Sequence, residues 1–324
     1  MFAPTSRTRV AGIAAGCAAD RLFGDPRRGH PVALFGSAAA ALERRTYADT
    51  RTAGALHTAA LLCGLALLGI AADRAALRRG VAPAAITTAA TVFVALGGTS
   101  LARTGEEMAR HLDRGDADAA RRLLPSLCGR DPAVLDEAAL ARAALESVAE
   151  NTSDAHVAPL LWAAVGGAPA VLVYRGANTL DAMIGHKSSR YRRFGWAAAR
   201  FDDATNYLAA RATAVLVVAC APVVGGSPAA ALRAWKRDAR RHPSPNAGVA
   251  EAAFAGALGV RLGGPTQYAH ELEIRPTLGD GPPPRVADLR RAVRLSRAIQ
   301  VAAAGAALGL SAVGRSDRRA WPPC

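Results

Sequence analysis

Lysine is nearly missing from this 324-residue chain: two lysines, Lys187 and Lys236, stand against 38 arginines. Aromatic residues make up only 5% of it. The five cysteines (Cys17, Cys63, Cys128, Cys220 and Cys324) are scattered, with no CxxC pair and no histidine at zinc-finger spacing, which excludes a disulfide scaffold. No GxxxxGK[ST] occurs, so any nucleotide use is not through a P-loop. What abounds is small and apolar. Hydrophobic residues are 51% of the chain and alanine alone fills 79 positions, far too much for a disordered composition. The net charge of +14 raises nucleic-acid binding, yet no basic patch is interleaved with aromatics and no recognition motif appears. Nucleic acid is therefore not expected as a partner, and positive-inside topology accounts for the arginines.

The apolar residues are concentrated. Ala53 to Ala72 is 20 residues without a formal charge, long enough as a helix to cross the ~30 Å hydrocarbon layer of a bilayer. Ala84 to Ala102 is a second such run and Ala212 to Leu232 a third, shortened by Pro222, Gly225, Gly226 and Pro228. Ala298 to Gly314 is a weaker fourth. Val10 to Ala19, after Arg7 and Arg9, resembles a short signal peptide but reads better as a retained, membrane-associated helix. Val157 to Tyr174 is also uncharged, but Pro159, Gly166, Gly167 and Pro169 interrupt it, which predicts a broken or re-entrant segment. The expected fold is all-α: a polytopic integral membrane protein with about 4–6 apolar helices, in one membrane-embedded domain over residues 1–324. The competing reading is a set of buried helices in a soluble, alanine-rich fold.

Polar segments too long to be connectors lie between the runs, at 24–52, 103–156, 175–206 and 233–297. Asp131-Pro132 predicts a helix start, after which Arg142, Glu146 and Glu150 fall on one face at i, i+4 and i+8, followed by Asn151. Asn178 and Asp181 are three apart, and Asp202, Asp203 and Asn206 repeat the pairing of carboxylate with amide, with Arg211 two turns beyond. Carboxylates beside asparagine suit Mg²⁺, which takes few protein ligands and leaves room for phosphate oxygens. Helix capping or a solvated salt-bridge face would explain any one cluster alone. The loop of LFGDPRRGHPVALFG carries Asp25 and His30 between two prolines, and HPSPNAGVAEAAFAGALGVRLGG enters a helix through Pro245-Asn246, where backbone N–H groups can hold an anion. The glycines of that stretch read as sites of close helix packing.

These stretches, with GRDPAVLDEAALARAALESVAENTSD and NTLDAMIGHKSSRYRRFGWAAARFDDATN, occur together and in one order from about Asp20 to Arg275-Pro276. In them the chain resembles the adenosylcobinamide-phosphate synthase family of cobalamin biosynthesis, of CobD/CbiB type. Departures fall at Ala155-His156, His186 and Ala209, where family members usually carry other residues. The resemblance implies an ATP-dependent, amide-forming ligase that joins the propionate carboxyl of adenosylcobyric acid to (R)-1-amino-2-propanol or its O-phosphate, with Mg²⁺ present. It implies a corrinoid and an amino alcohol as substrates and a place in the cell membrane with the site facing the cytoplasm. Other membrane-associated enzymes of late cobalamin assembly are the expected partners.

On this reading Glu146, Glu150, Asp181, Asp202, Asp203 and Lys187 are the candidate catalytic groups, with Asp181, Asp202 and Asp203 as Mg²⁺ ligands. Asp25, His30, Asn151, Asn178, Asn206, Arg211 and Asn246 are the candidate substrate-binding groups. Two other classes compete: a membrane prenyltransferase-like enzyme, whose acidic pairs are normally four apart, and a polytopic transporter or assembly scaffold, which should place charges mid-span.

Overall fold

The structure, a computed structural model, describes residues 6–26, 29–186, 188–267 and 272–313. In chain order its helices are α1 (Ser6–Phe23), α2 (Pro31–Thr46), α3 (Arg51–Arg79), α4 (Val81–Ala95), α5 (Gly98–Asp113), α6 (Ala117–Leu123), α7 (Glu137–Thr152), α8 (Ala158–Ile184), α9 (Tyr191–Phe194), α10 (Trp196–Cys220), α11 (Pro228–Asp238), α12 (Ala247–Leu258) and α13 (Val286–Val313). One antiparallel hairpin, β1 (Leu262–Gln267) with β2 (Leu272–Leu278), lies between α12 and α13 and is not anticipated by the sequence pattern.

Five helical stretches among the described residues are long and apolar enough to cross a bilayer: Arg51–Arg79, Val81–Asp113, Glu137–Ile184, Trp196–Val224 and Val286–Val313. They contain the first two charge-poor runs and the interrupted one, the third run as far as Val224 and the fourth as far as Val313. Their outward faces carry large apolar side chains, among them Leu56, Leu67, Leu68, Ile86, Val215 and Val301, all left exposed by the chain itself. Lipid accounts for such faces; water does not. This is an all-α, polytopic membrane protein.

The described residues group into two compact units. The first takes in 6–97, 158–205 and 303–313. Here α1 and α4 pack closely because Gly12 and Gly16 stand one turn apart; a Cβ on either would run into Thr88 or Val92 of α4. The interruption read in Val157 to Tyr174 is real: α8 breaks at Gly167, whose φ of 65° and ψ of −156° belong to no helix. Pro169 supplies no N–H to the fourth residue before it. Arg9 fills the gap, its Nη1 donating to the Ala164 carbonyl at 2.9 Å and reaching Val165 O at 3.5 Å. At the same level α3 presents Gly69 to Pro169, so close that a Cβ would overlap the proline backbone.

The second unit takes in 98–157 and 206–302. The helix expected to start at Asp131-Pro132 starts later. Asp131 caps only a 3-10 turn, Pro132–Val134, and α7 begins at Glu137 with Asp136 Oδ1 accepting from Ala139 N at 2.7 Å. Leu135 between the two is extended, and Arg121 donates to its carbonyl at 3.1 Å and 3.3 Å, so no helix can run through it. The third apolar run ends at Val224 and not at Leu232, because Gly225 turns left-handed and Ser227 caps a new helix, α11. In that unit α12 packs on α11 through Gly256, against the backbone of Ala230 and Ala231, as the packing reading expects.

Candidate functional site

Helix α7 places Glu146 and Glu150 on one face, as their spacing requires. That face is not solvated. Glu146 is buried and fully engaged: Oε2 pairs with Arg130, and Oε1 accepts the Gly263 N–H at 2.7 Å. Its neighbour Arg142 does not pair with it. Arg142 instead donates to the carbonyls of Gly263 at 2.7 Å and Pro265 at 2.6 Å.

The reason lies in the hairpin. A bulge between Leu262 and Gly264 leaves Gly263 outside the ladder, with φ 82°, so that its N–H and its carbonyl both turn to α7. Glu146 and Arg142 thus clamp β1, and Glu146 acts as a positioning group. The same open end of the hairpin is also held from α11, where buried Asp238 accepts from Arg237 at 2.7 Å and from Gly279 N at 2.9 Å.

Clamped in this way, β2 carries Arg275 to within 3.9 Å of Glu251, the one charged residue of α12. Glu251 is 1% exposed, and neither carboxylate oxygen has a hydrogen-bond partner among the described residues. His242, in the turn before α12, points Nε2 at Oε2 of Glu251 across 3.9 Å, and that nitrogen too lacks a hydrogen bond. Burial, with Glu146 and Glu150 adding their charge, pushes the Glu251 carboxyl well above the ordinary range, against the pull of Arg275 and Arg130. Burial and then Arg275 lower the His242 imidazole, favouring its neutral form. Glu150 is less enclosed than Glu251. The outcome is two buried carboxylates, Glu146 paired with Arg130, and Glu251 facing Arg275 and a neutral imidazole across 3.9 Å.

Of these, Glu146 and Glu150 are legible in the sequence, whereas Arg130, His242, Glu251 and Arg275 are not singled out by its motifs. One signal was there for Glu251: a lone acid in an otherwise uncharged helix, AGVAEAAFAGAL, is costly unless something requires it.

The remaining expected residues stand as follows. Arg211 and Asn246 meet, Nη1 donating to Oδ1 at 2.9 Å, with the guanidinium 3.6 Å over the Tyr207 ring. Asn151 is turned back on its own helix, donating to Ser147 O at 3.0 Å, just before a π-helical turn at Ser153–Val157. Asn206 is buried. His30 caps α2 by accepting from Val32 N at 3.1 Å, with Nε2 at 3.7 Å from Asp25. Asn178 accepts from Arg175 at 3.2 Å. Asp181 lies in the last turn of α8, against Gly185. Asp202 and Asp203 lie inside α10, Asp203 at 3.5 Å from Arg200, so helix capping does not explain that pair. Lys187 falls outside the described residues.

No group of three or more His, Cys, Asp or Glu side chains among the described residues is arranged to hold a metal ion. The four described cysteines are free thiols.

Comparison with known proteins bears on this arrangement directly. The chain matches the family model described as CobD/Cbib protein over residues 13–296. It is 67% identical over 304 residues to the cobalamin biosynthesis protein CobD of Mycobacterium tuberculosis, covering 94% of this chain and 96% of that protein. The proteins of the same name from Geobacter metallireducens and Chromobacterium violaceum are 45% and 44% identical, over 81% and 85% of this chain and 83% and 88% of theirs. No solved structure matches it. The matched span contains the clamped hairpin, the buried carboxylates and the asparagine–aspartate clusters together, and the chain belongs to the CobD/CbiB family.

Proposed function

We propose that the protein works in cobalamin biosynthesis, forming the amide between the propionate carboxyl of adenosylcobyric acid and (R)-1-amino-2-propanol or its O-phosphate. The observation that carries this reading is the 67% identity over 94% of the chain to a protein named for cobalamin biosynthesis. The chemistry of the site supports it. Amide formation needs an activated carboxyl, a deprotonated amine and a hold on phosphate, and the chain offers groups for each.

ATP is the proposed activator, giving an acyl phosphate, with Mg²⁺ arriving on the nucleotide. Mg²⁺ commonly takes one or two protein carboxylates and leaves its other positions to water and phosphate. Asp181, Asp202 and Asp203 are oxygen donors of that kind. The Arg211–Asn246 pair holds a guanidinium in a set orientation, which suits a phosphate oxygen. Lys187 is proposed to offset the charge of the acyl phosphate. The five bilayer-length stretches suit a place in the cell membrane, and we assign the site to its cytoplasmic side, where ATP is found. Membrane-associated enzymes of late cobalamin assembly are the proposed partners.

The test is reconstitution. Protein purified in detergent and given adenosylcobyric acid, aminopropanol O-phosphate and Mg-ATP should release ADP only when the corrinoid is present, and should yield adenosylcobinamide phosphate by mass. Correctly folded protein that gives neither would overturn the reading and leave the prenyltransferase and transporter classes standing.

A further inference from the structure

A buried carboxylate with no hydrogen-bond partner is expensive, and proteins keep one where a ligand completes it. Glu251 is such a group. Its two oxygens are enclosed, yet the nearest charged or imidazole nitrogens, on Arg275 and His242, both stop at 3.9 Å, beyond hydrogen-bond range. Glu146 cannot move to help, since Arg130 and the Gly263 N–H occupy both its oxygens. Arg275 itself lies closer to Glu273, at 3.4 Å, so Glu251 is left without a close counter-ion.

We infer that Glu251 binds a primary ammonium group and is a catalytic residue that takes its proton. An ammonium carries three donors on one small centre, and both oxygens of Glu251, in a side chain 1% exposed, lack a hydrogen-bond partner among the described residues.

The inference rests on the amide-forming reading above and adds its missing step. An ammonium has no free electron pair, so it cannot attack a carbonyl. Glu251 accepts one N–H proton, and the freed nitrogen pair forms the C–N bond to the acyl phosphate carbon. The C–O bond to phosphate breaks with its electron pair, and the second nitrogen proton leaves on the departing phosphate. Neutral His242 beside Glu251 adds no charge that would oppose the cation.

Hydroxylamine separates the possibilities, because it is mostly neutral at pH 7 and attacks acyl phosphates without help from a base. With Glu251→Gln, aminopropanol amidation should fall by about 10²-fold or more, the usual worth of a positioned general base. ATP- and corrinoid-dependent hydroxamate formation should stay within a few fold of the unaltered protein. Glu251→Asp, which keeps the base at a shifted position, should recover part of the amidation. If both reactions fall together in Glu251→Gln, the residue is structural and the inference is wrong. If the variant amidates normally, it is wrong as well. If the unaltered protein forms no hydroxamate, it is the amide-ligase reading that fails, and the two failures are distinct.

Discussion

Nε2 of His242 sits 3.9 Å from Oε2 of Glu251, and neither atom has a hydrogen-bond partner among the described residues. Two buried polar groups thus face each other without satisfying one another. Such an arrangement costs stability and persists where function requires it.

That cost is measurable through pH. Burial, with the charges of Glu146 and Glu150, raises the Glu251 carboxyl above the ordinary carboxylate range, opposed by Arg275 and Arg130. The folded state therefore binds a proton that the unfolded chain has released, so stability declines as pH rises from the ordinary carboxylate value toward the raised one. Glu251→Gln removes this dependence. Its melting temperature in detergent should exceed that of the unaltered protein by a margin that widens as pH rises above 4.5, the ordinary carboxylate value, and a constant or shrinking margin would contradict the assignment.

Asp202 and Asp203 sit inside α10, where no capping duty accounts for them. Substituting either with Asn should cut adenosylcobinamide formation by orders of magnitude while expression and membrane insertion hold. Full activity in both variants would remove the pair from the site.

The break in α8 is a matter of backbone conformation. Gly167 occupies φ 65°, ψ −156°, which side chains tolerate poorly, although a Cβ there would meet only Arg9 and Asp73 at ordinary contact distances of 3.6 Å and 3.7 Å. Gly167→Ala should therefore cost about 1–3 kcal/mol through strain alone. Arg9→Ala should destabilise by a similar amount, by stripping the Ala164 carbonyl of its donor. Thermal unfolding followed in detergent would show either loss, and an unchanged midpoint for Gly167→Ala would mean that the helix runs straight.

The open end of the hairpin also depends on Asp238. The Arg237 hydrogen bonds, helped by the Gly279 N–H, hold its carboxyl below the ordinary value. Its contribution is therefore complete at neutral pH and lost as pH falls below about 4, the ordinary carboxylate value. Asp238→Ala should lower stability at pH 7 by about 1–3 kcal/mol, chiefly by leaving the buried Gly279 N–H unpartnered. The deficit should shrink in acid, as a comparison of melting curves at pH 7 and at about pH 2–3 would show.

The bilayer-length stretches are readable in the residues because hydrocarbon thickness imposes a length, and a charge-free run such as Ala53 to Ala72 meets that length within a single helix. The interruption near Gly167 is readable for an equally local reason: proline lacks a donor and paired glycines weaken a helix wherever they occur. The common face of Glu146 and Glu150 follows from helical geometry alone. The start of α7 misled, because Asp131-Pro132 and Asp136-Glu137 are both good openings and only Arg121, holding the Leu135 carbonyl, selects the second.

The partners of the carboxylates are another matter. Nothing near Glu146 in the chain says that it will meet Arg130 and a bulged glycine 117 residues away, and Glu251 has no neighbour in sequence that explains its burial. Local pattern sets which residues share a helix face, since that depends on bonds within a turn or two. Which faces meet, and which charge is left without its counterion, depends on contacts between distant segments, and those exist only once the hairpin is clamped to α7 and α11.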